Sequence, residues 1–463
     1  MAETALLERL VAEAGLTSGR FAQRLNRYAQ ATGHREQVHI KTPYKWIKKG
    51  EVPRPPWPTL CAQLLSQELG RLVTPCDLGW PDGGAGDELT AVVQGTWDAD
   101  GALRALHTLT DAEGVHRRRM LQVLGTTITT PAHEWLLAQP AEAVTRSAGT
   151  SITAEAVDHL DEITAGLRRL DDHGSGEQLL TLIREHLRYV TTLLDTRRYA
   201  DTVGRRLHAT AAELLRLGGF TAFDTGYHGL AQRYFLAALR SAHTAGDQAL
   251  GANILGFMSC QAKDLGLGNG REAVLLAETA RAGYPGASGP VRAILALRAA
   301  EAYANDPTAS TARRAADTRR AIDDAFNSLD DPTPSHGSPS WSYWMSPSQA
   351  HAQAGYCHLR IGDHPRARHH LRRSLQPQEG NYSREEALRD ILLASTYQQQ
   401  PRPDLEQALV HGNRAVDALT GQVDSPRCVG HLARLVSGLG PYRRSRGVAE
   451  FIGRTRPVLD GVS

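Results

Sequence analysis

Between Ala352 and Leu375 the chain reads AQAGYCHLRIGDHPRARHHLRRSL, the outline of a helix pair. The first helix carries the small residues Ala354 and Gly355, Gly362-Asp363 makes the turn, and Ala367, Leu371 and Ser374 mark the second. Small residues at facing positions let two antiparallel helices approach, and Ala367 with Leu371 packs one hairpin on the next. Weaker copies occur where Ala231, Phe235 and Ala238 follow Gly218-Gly219, where Ala273, Ala277 and Ala280 follow Gly266 to Gly270, and where Ala408, Gly412 and Ala415 follow Thr396-Tyr397. Such a unit cannot bury its apolar face alone, so it must stack on neighbours. From about Ala154 to Val458 helix follows helix with short turns, and an array of helix pairs is expected there.

Composition points the same way. Ala, Leu and Arg are abundant, Val and Ile sparse, and aromatics only 6% of the chain, a balance that favours helix over strand. At 463 residues the chain exceeds one core, so at least two domains are expected. No apolar run reaches the ~18 to 20 residues of a membrane span, and the first ten residues hold two glutamates where a secretion signal needs a basic start. A cytoplasmic protein without membrane contact is the expectation. The five cysteines lie far apart and form no Cys-x-x-Cys pair, which suits neither a disulfide framework nor a zinc site.

The first eighty residues are organised differently. Amphipathic helices are expected from Thr4 to Ala14, from Thr17 or Ser18 to about Thr32-Gly33, from Thr42-Pro43 to a stop at Gly50, and after the proline-rich bend Val52 to Pro58. Between Leu16 and Pro56 nine basic residues face two acidic ones, a local balance of +7 in a chain whose total is +2. Four of the chain's five lysines (Lys41, Lys45, Lys48, Lys49) fall within nine residues, while arginine is spread throughout. In an Arg- and Ala-rich background, the mark of a GC-rich genome, that cluster calls for a local cause, and a polyanion is the natural one. If Pro43 opens the third helix, Tyr44, Lys45 and Lys48 share an exposed arc while Trp46 and Ile47 turn inward. A helix that reads DNA needs this division between an anchored side and a cationic, hydrogen-bonding side. The DNA-binding candidates are therefore Lys41, Thr42, Tyr44, Lys45, Lys48, Lys49 and Arg54, with double-stranded DNA as the partner.

Enzyme signatures are missing. His133-Glu134 lacks the second histidine of a zinc protease, Gly266, Gly268 and Gly270 lack the lysine of a phosphate loop, and no Gly-x-Ser-x-Gly turn occurs. Neither catalysis, a metal nor a cofactor is expected.

The helix pair at Ala352 to Leu375 resembles a tetratricopeptide repeat, although unit spacings of 42 and 41 residues exceed the ~34 of that repeat and imply insertions. The order Trp46, Gly50, Pro53 resembles the end of the recognition helix in phage-repressor-type helix-turn-helix proteins. The whole chain resembles the actinobacterial helix-turn-helix/tetratricopeptide regulators that influence differentiation and antibiotic production in Streptomyces. Arg117-Arg118-Arg119-Met120-Leu121, running on to Thr130-Pro131-Ala132-His133-Glu134-Trp135-Leu136, resembles a segment found between the two domains in that group. One departure is the stretch Tyr28 to Ile40, longer than the tight turn of the usual motif.

The resemblance agrees with what the residues imply, an all-α protein: a helix-turn-helix domain over 1–80, a linker over 81–101 where Pro-Asp-Gly-Gly-Ala-Gly-Asp cannot be helix, a helical connector over 102–153, and a tetratricopeptide-like superhelix over 154–463. It further implies a peptide, small-molecule or protein effector in the repeat groove, as in peptide-pheromone-responsive regulators of Gram-positive bacteria. Gln349, Tyr356 and Arg360 would face that groove, and the insertion Asp330 to Pro347 adds Trp341, Tyr343 and Trp344. A homodimer is expected, because one helix in one major groove makes few contacts. The competing reading is an interaction scaffold whose N-terminal domain does not bind DNA.

Overall fold

The computed structural model describes the chain apart from residues 1–3, 32–36, 50, 55–56, 70–72, 74, 81–94, 111–125, 141–143, 173–175, 266–269, 287, 332–336, 377–382, 422–424 and 461–463. The described residues form twenty α-helices and three short 3-10 turns, with no strand among them, so the protein is all-α. The linker residues 81–94, the segment Arg117 to Leu121, the expected helix end at Thr32-Gly33 and the expected stop at Gly50 lie outside the described residues.

The first four helices are α1 (Thr4–Glu13), α2 (Ser18–Ala31), α3 (Thr42–Lys49) and α4 (Trp57–Leu69). They enclose a core of their own in which Phe21, Leu25, Leu60 and Leu65 are fully buried. Each helix places its apolar residues at three- and four-residue intervals, which puts them on one face. Trp46 and Ile47 of α3 are buried there, and Trp46 meets Trp80 edge to face with ring centroids 6.1 Å apart. The long connection from α2 to α3 is pinned at its far end. The Asn26 side-chain amide donates to the Val38 carbonyl and accepts from the Val38 N–H, both at 2.8 Å.

Beyond residue 94 come α5 (Ala99–Thr110) and α6 (Thr126–Leu137), then α7 (Ala154–Asp172) and α8 (Gly176–Thr196). Six antiparallel hairpins follow. They pair α9 (Asp201–Asp224) with α10 (His228–Ala245), α11 (Gln248–Leu265) with α12 (Arg271–Ala282), and α13 (Gly289–Ala304) with α14 (Thr311–Leu329). The remaining pairs are α15 (Pro347–Arg360) with α16 (His364–Ser374), α17 (Ser383–Gln399) with α18 (Leu405–Gly421), and α19 (Pro426–Leu439) with α20 (Arg446–Asp460). The first helices of the pairs also pack on one another in chain order, which makes the array a stack.

Local chemistry sets the boundaries. Ser346, Asp363 and Ser425 each accept a backbone N–H three residues on, and Pro347, Pro365 and Pro426 fill the first turns that follow. Gly362 turns between α15 and α16 at φ 78°, a conformation that other residues adopt at a cost. A Cβ on Gly355 would stand 2.6 Å from Leu371 Cγ, so α15 and α16 meet as closely as they do only because that position is glycine.

The helices α5 and α6 belong to the same packed mass as the repeats. Trp135 of α6, only 7% exposed, enters a slot between Gly251 and Gly283, where any Cβ would lie within 2.5 Å of its ring. The fully buried Arg240 of α10 lies over the Trp97 ring at 4.6 Å and donates to the carbonyls of Gly95 and Thr96. Emptying the slot by Trp135→Ala is expected to cost about 3 to 5 kcal/mol of the repeat array's stability. Urea unfolding of the full chain would show this as a lower midpoint with an unchanged slope, and an unchanged midpoint would remove Trp135 from the core.

Candidate functional site

Two regions collect the chain's chemistry. On the first domain, α3 is split as its sequence suggests. Pro43, Trp46 and Ile47 are buried, Tyr44 is 52% exposed, and Lys45, Lys48 and Lys49 face solvent. Thr42 is half-buried at the helix start, where its N–H donates to the His39 carbonyl at 2.8 Å, and Lys41 and Arg54 are exposed on the flanks. Lys48 forms an ion pair with Glu8 of α1, and Arg24 of α2 with Glu68 of α4. Ile40 and Val52 add exposed apolar surface beside the lysines.

The second region is a cavity of about 440 Å³ on the inner side of the stack. It takes residues from α7, α9, α11, α13, α15, α17 and α19, with the 3-10 turn Ser340–Trp344 forming another wall. Trp341, Tyr343, Trp344, Gln349 and Tyr356 all line it. Arg360 does not, because it lies one turn further on and its Nε donates to Asn305 Oδ1 at 2.7 Å.

The cavity's cations come from elsewhere: Arg168, Arg216, Lys263, Arg298, Arg384, Arg389 and Arg427. Sequence reasoning passed over them because arginine is common throughout this chain. Three of the cavity's arginines, Arg216, Arg298 and Arg389, each follow a leucine on the first helix of a hairpin. Aromatic faces hold the guanidinium groups. Arg216 and Arg298 sit over Phe257 at 5.5 and 5.1 Å, and Arg384 and Arg427 over Phe220 at 5.7 and 5.9 Å. The two phenyl rings are themselves 5.3 Å apart.

Asp224, at the end of α9, joins the early helices to the late ones. It accepts from Arg427 Nε of α19 at 2.8 Å and lies 3.4 Å from Arg384 of α17, which also reaches Asp171 of α7 at 3.7 Å. Burial alone would raise the Asp224 pKa, but Arg427 and Arg384 override it and hold the carboxyl below its ordinary range. On the other wall Tyr343 donates to Asp172 at 2.6 Å, tying the insertion to α7. Lys263 lies under Tyr356 at 4.6 Å and pairs with Asp264 and Glu301.

A family model described as SP15 N-terminal domain matches residues 7–81. No curated protein matches the chain. No solved structure matches it either. The matched segment is the one that encloses the separate N-terminal core.

Replacing Asp224 with Asn leaves two buried guanidinium groups short of a carboxylate, and a loss of about 3 to 5 kcal/mol in unfolding free energy is expected. Proton linkage gives a second expectation. Burial pushes the His208 imidazole down from 6.5 to about 4, so below pH 6.5 the unfolded chain takes up a proton that the folded chain refuses. Stability should be level in this respect above pH 6.5 and fall by up to about 1.4 kcal/mol per pH unit between pH 6.5 and 4. The Asp224 contribution, fully present above pH 3.8, should disappear only under stronger acid. Urea titrations at pH 7, 5.5 and 4.5 would read the slope, and His208→Gln should remove one proton's share.

Proposed function

We propose that this chain is a transcriptional regulator that works in the cytoplasm, grips double-stranded DNA with α3, and receives a peptide, small-molecule or protein effector in the cavity of its helical-repeat domain. The observation that carries the reading is the division of α3, with Trp46 and Ile47 locked into the core and Tyr44, Lys45, Lys48 and Lys49 presented outward. Lysines in such positions meet phosphates, and Thr42 and Tyr44 at the helix entrance are placed to meet base edges. Ile40 and Val52 supply apolar surface of the kind that touches thymine methyl groups. Control of differentiation or secondary metabolism is the role suggested by the resemblance to the Streptomyces regulators.

The regulator acts as a homodimer in this reading, since paired half-sites about 34 to 36 Å apart multiply the few contacts of one short helix. No helix among the described residues is long and apolar enough to cross a membrane, which agrees with a site of action on DNA. The Glu8–Lys48 ion pair is the feature that favours a protein-binding scaffold instead, because it occupies a lysine that DNA would use.

The two readings separate in a salt titration. Lys45→Ala should weaken binding to cognate and scrambled duplexes alike and lower the slope of log affinity against log salt by about one. Glu8→Gln should strengthen binding by releasing Lys48. Tyr44→Ala should keep the slope and lose about 1 to 3 kcal/mol of discrimination at one base pair. Gel shifts in which parent, Lys45→Ala and Glu8→Gln behave identically would hand the domain to the scaffold reading.

A further inference from the structure

Among the buried polar groups on the cavity wall without a hydrogen-bond partner among the described residues, beside Arg384 Nε, are Arg216 Nε, Trp341 Nε1 and Gln353 Oε1. Their residues are 6%, 4% and 7% exposed. The neighbouring cations are engaged, Arg427 by Asp224 at 2.8 Å and Lys263 by Asp264 at 3.0 Å. Arg216 differs from them. The carboxylate at ion-pair distance is that of Glu213 at 4.0 Å, already bonded by Arg168, while Asp171 and Asp172 act on Arg216 only from farther off. A buried polar atom without a partner carries a desolvation cost, and these three, of different chemistry, lie on one cavity wall where another molecule can supply their partners.

The chemistry of the three selects the molecule. Arg216 and Trp341 donate, and one of them is a buried cation, so together they ask for an oxyanion. Gln353 Oε1 accepts, so it asks for a donor. The same lining carries the rings of Phe220, Phe257 and Trp344. A volume of about 440 Å³ suits one compact ligand better than an extended peptide.

We propose that the cavity binds a small organic anion with a flat apolar body, its carboxylate- or sulfonate-type oxygens on Arg216 and Trp341 and its body against Phe220, Phe257 and Trp344. The proposal rests on the reading of this cavity as the effector site. Binding replaces the missing partners of the orphaned groups.

Two fluorescent probes test it on the full chain. 8-Anilinonaphthalene-1-sulfonate carries a flat body, an amine donor and an anion, and N-phenyl-1-naphthylamine is the same body without the anion. The sulfonate should saturate at one per chain and bind about tenfold or more tighter than the neutral amine. Arg216→Met keeps the volume and removes the charge, so it should bring the sulfonate down to the affinity of the amine while leaving the amine unchanged. Trp341→Phe should narrow the preference in the same direction by a smaller factor, and it decides the matter if Arg216→Met loses both probes. Equal affinities with a ratio unmoved by either variant would overturn the anion assignment and leave the effector site standing. Failure of both probes to saturate would overturn the effector site and the assignment with it, and the DNA titrations are independent of either result.

Discussion

The carboxylate of Asp224 is the point at which helices some two hundred residues apart are held together. It sits at the end of α9 and takes Arg427 from α19, with Arg384 from α17 beside it. A stack of hairpins joined only to nearest neighbours would be an open solenoid, free to change its curvature. Here the ion cluster and the Tyr343–Asp172 bond connect its late part to its early part and give the inner side a fixed width. The cavity exists because those connections exist.

Holding so many cations out of water is costly, and the structure shows how the cost is met. Four of the cavity's guanidinium groups, those of Arg216, Arg298, Arg384 and Arg427, are laid on an aromatic face, Phe257 or Phe220, and most have a carboxylate at the edge. Arg is suited to this because its planar, weakly hydrated head stacks and donates at the same time. Lysine in the same position would keep the charge and lose the stacking. That chemistry accounts for a chain that places arginine throughout the repeats, has Lys263 as its one lysine there, and reserves its other four lysines for α3 and its entrance.

Much of the fold was legible in the sequence because local rules agree with the global arrangement. Prolines after Ser346, Asp363 and Ser425 mark helix starts, and Gly355 opposite Leu371 marks a close approach. Four hairpins were read from their small residues, whereas α13/α14 and α19/α20 were not. The α13 sequence is buried nearly all round, so it has no polar face to reveal a period. In α14 the buried positions are Thr318, Ala321, Ile322 and Ala325, set among arginines that hide them. The aromatic insertion stood out in the sequence, either as a groove wall or as packing over a repeat edge, and its Trp341, Tyr343 and Trp344 line the cavity while Tyr343 stays 48% exposed. The charged floor did not stand out, since an arginine reads the same in sequence whether it is solvated or laid on Phe257.

A ligand in the cavity can influence α3 only by shifting an equilibrium that both share. The elements that join the two regions are specific. Arg216 and Asp224 lie on α9, which forms a hairpin with α10, and α10 grips residues 95–97 through Arg240. Those residues follow the segment that leads from the first domain, and Trp97 in turn donates to Glu134 of α6 at 3.0 Å, one residue before the Trp135 anchor. Residues 95–97 are thus bolted to the hairpin that carries Arg216. Coupling would require that hairpin to have two arrangements with unequal affinity for the ligand, because packed helices are bistable and do not bend by degrees. The tight Gly219–Phe235 contact inside it, where a Cβ would come within 2.5 Å of the ring, holds α9 and α10 in register, so the hairpin would have to move as one unit.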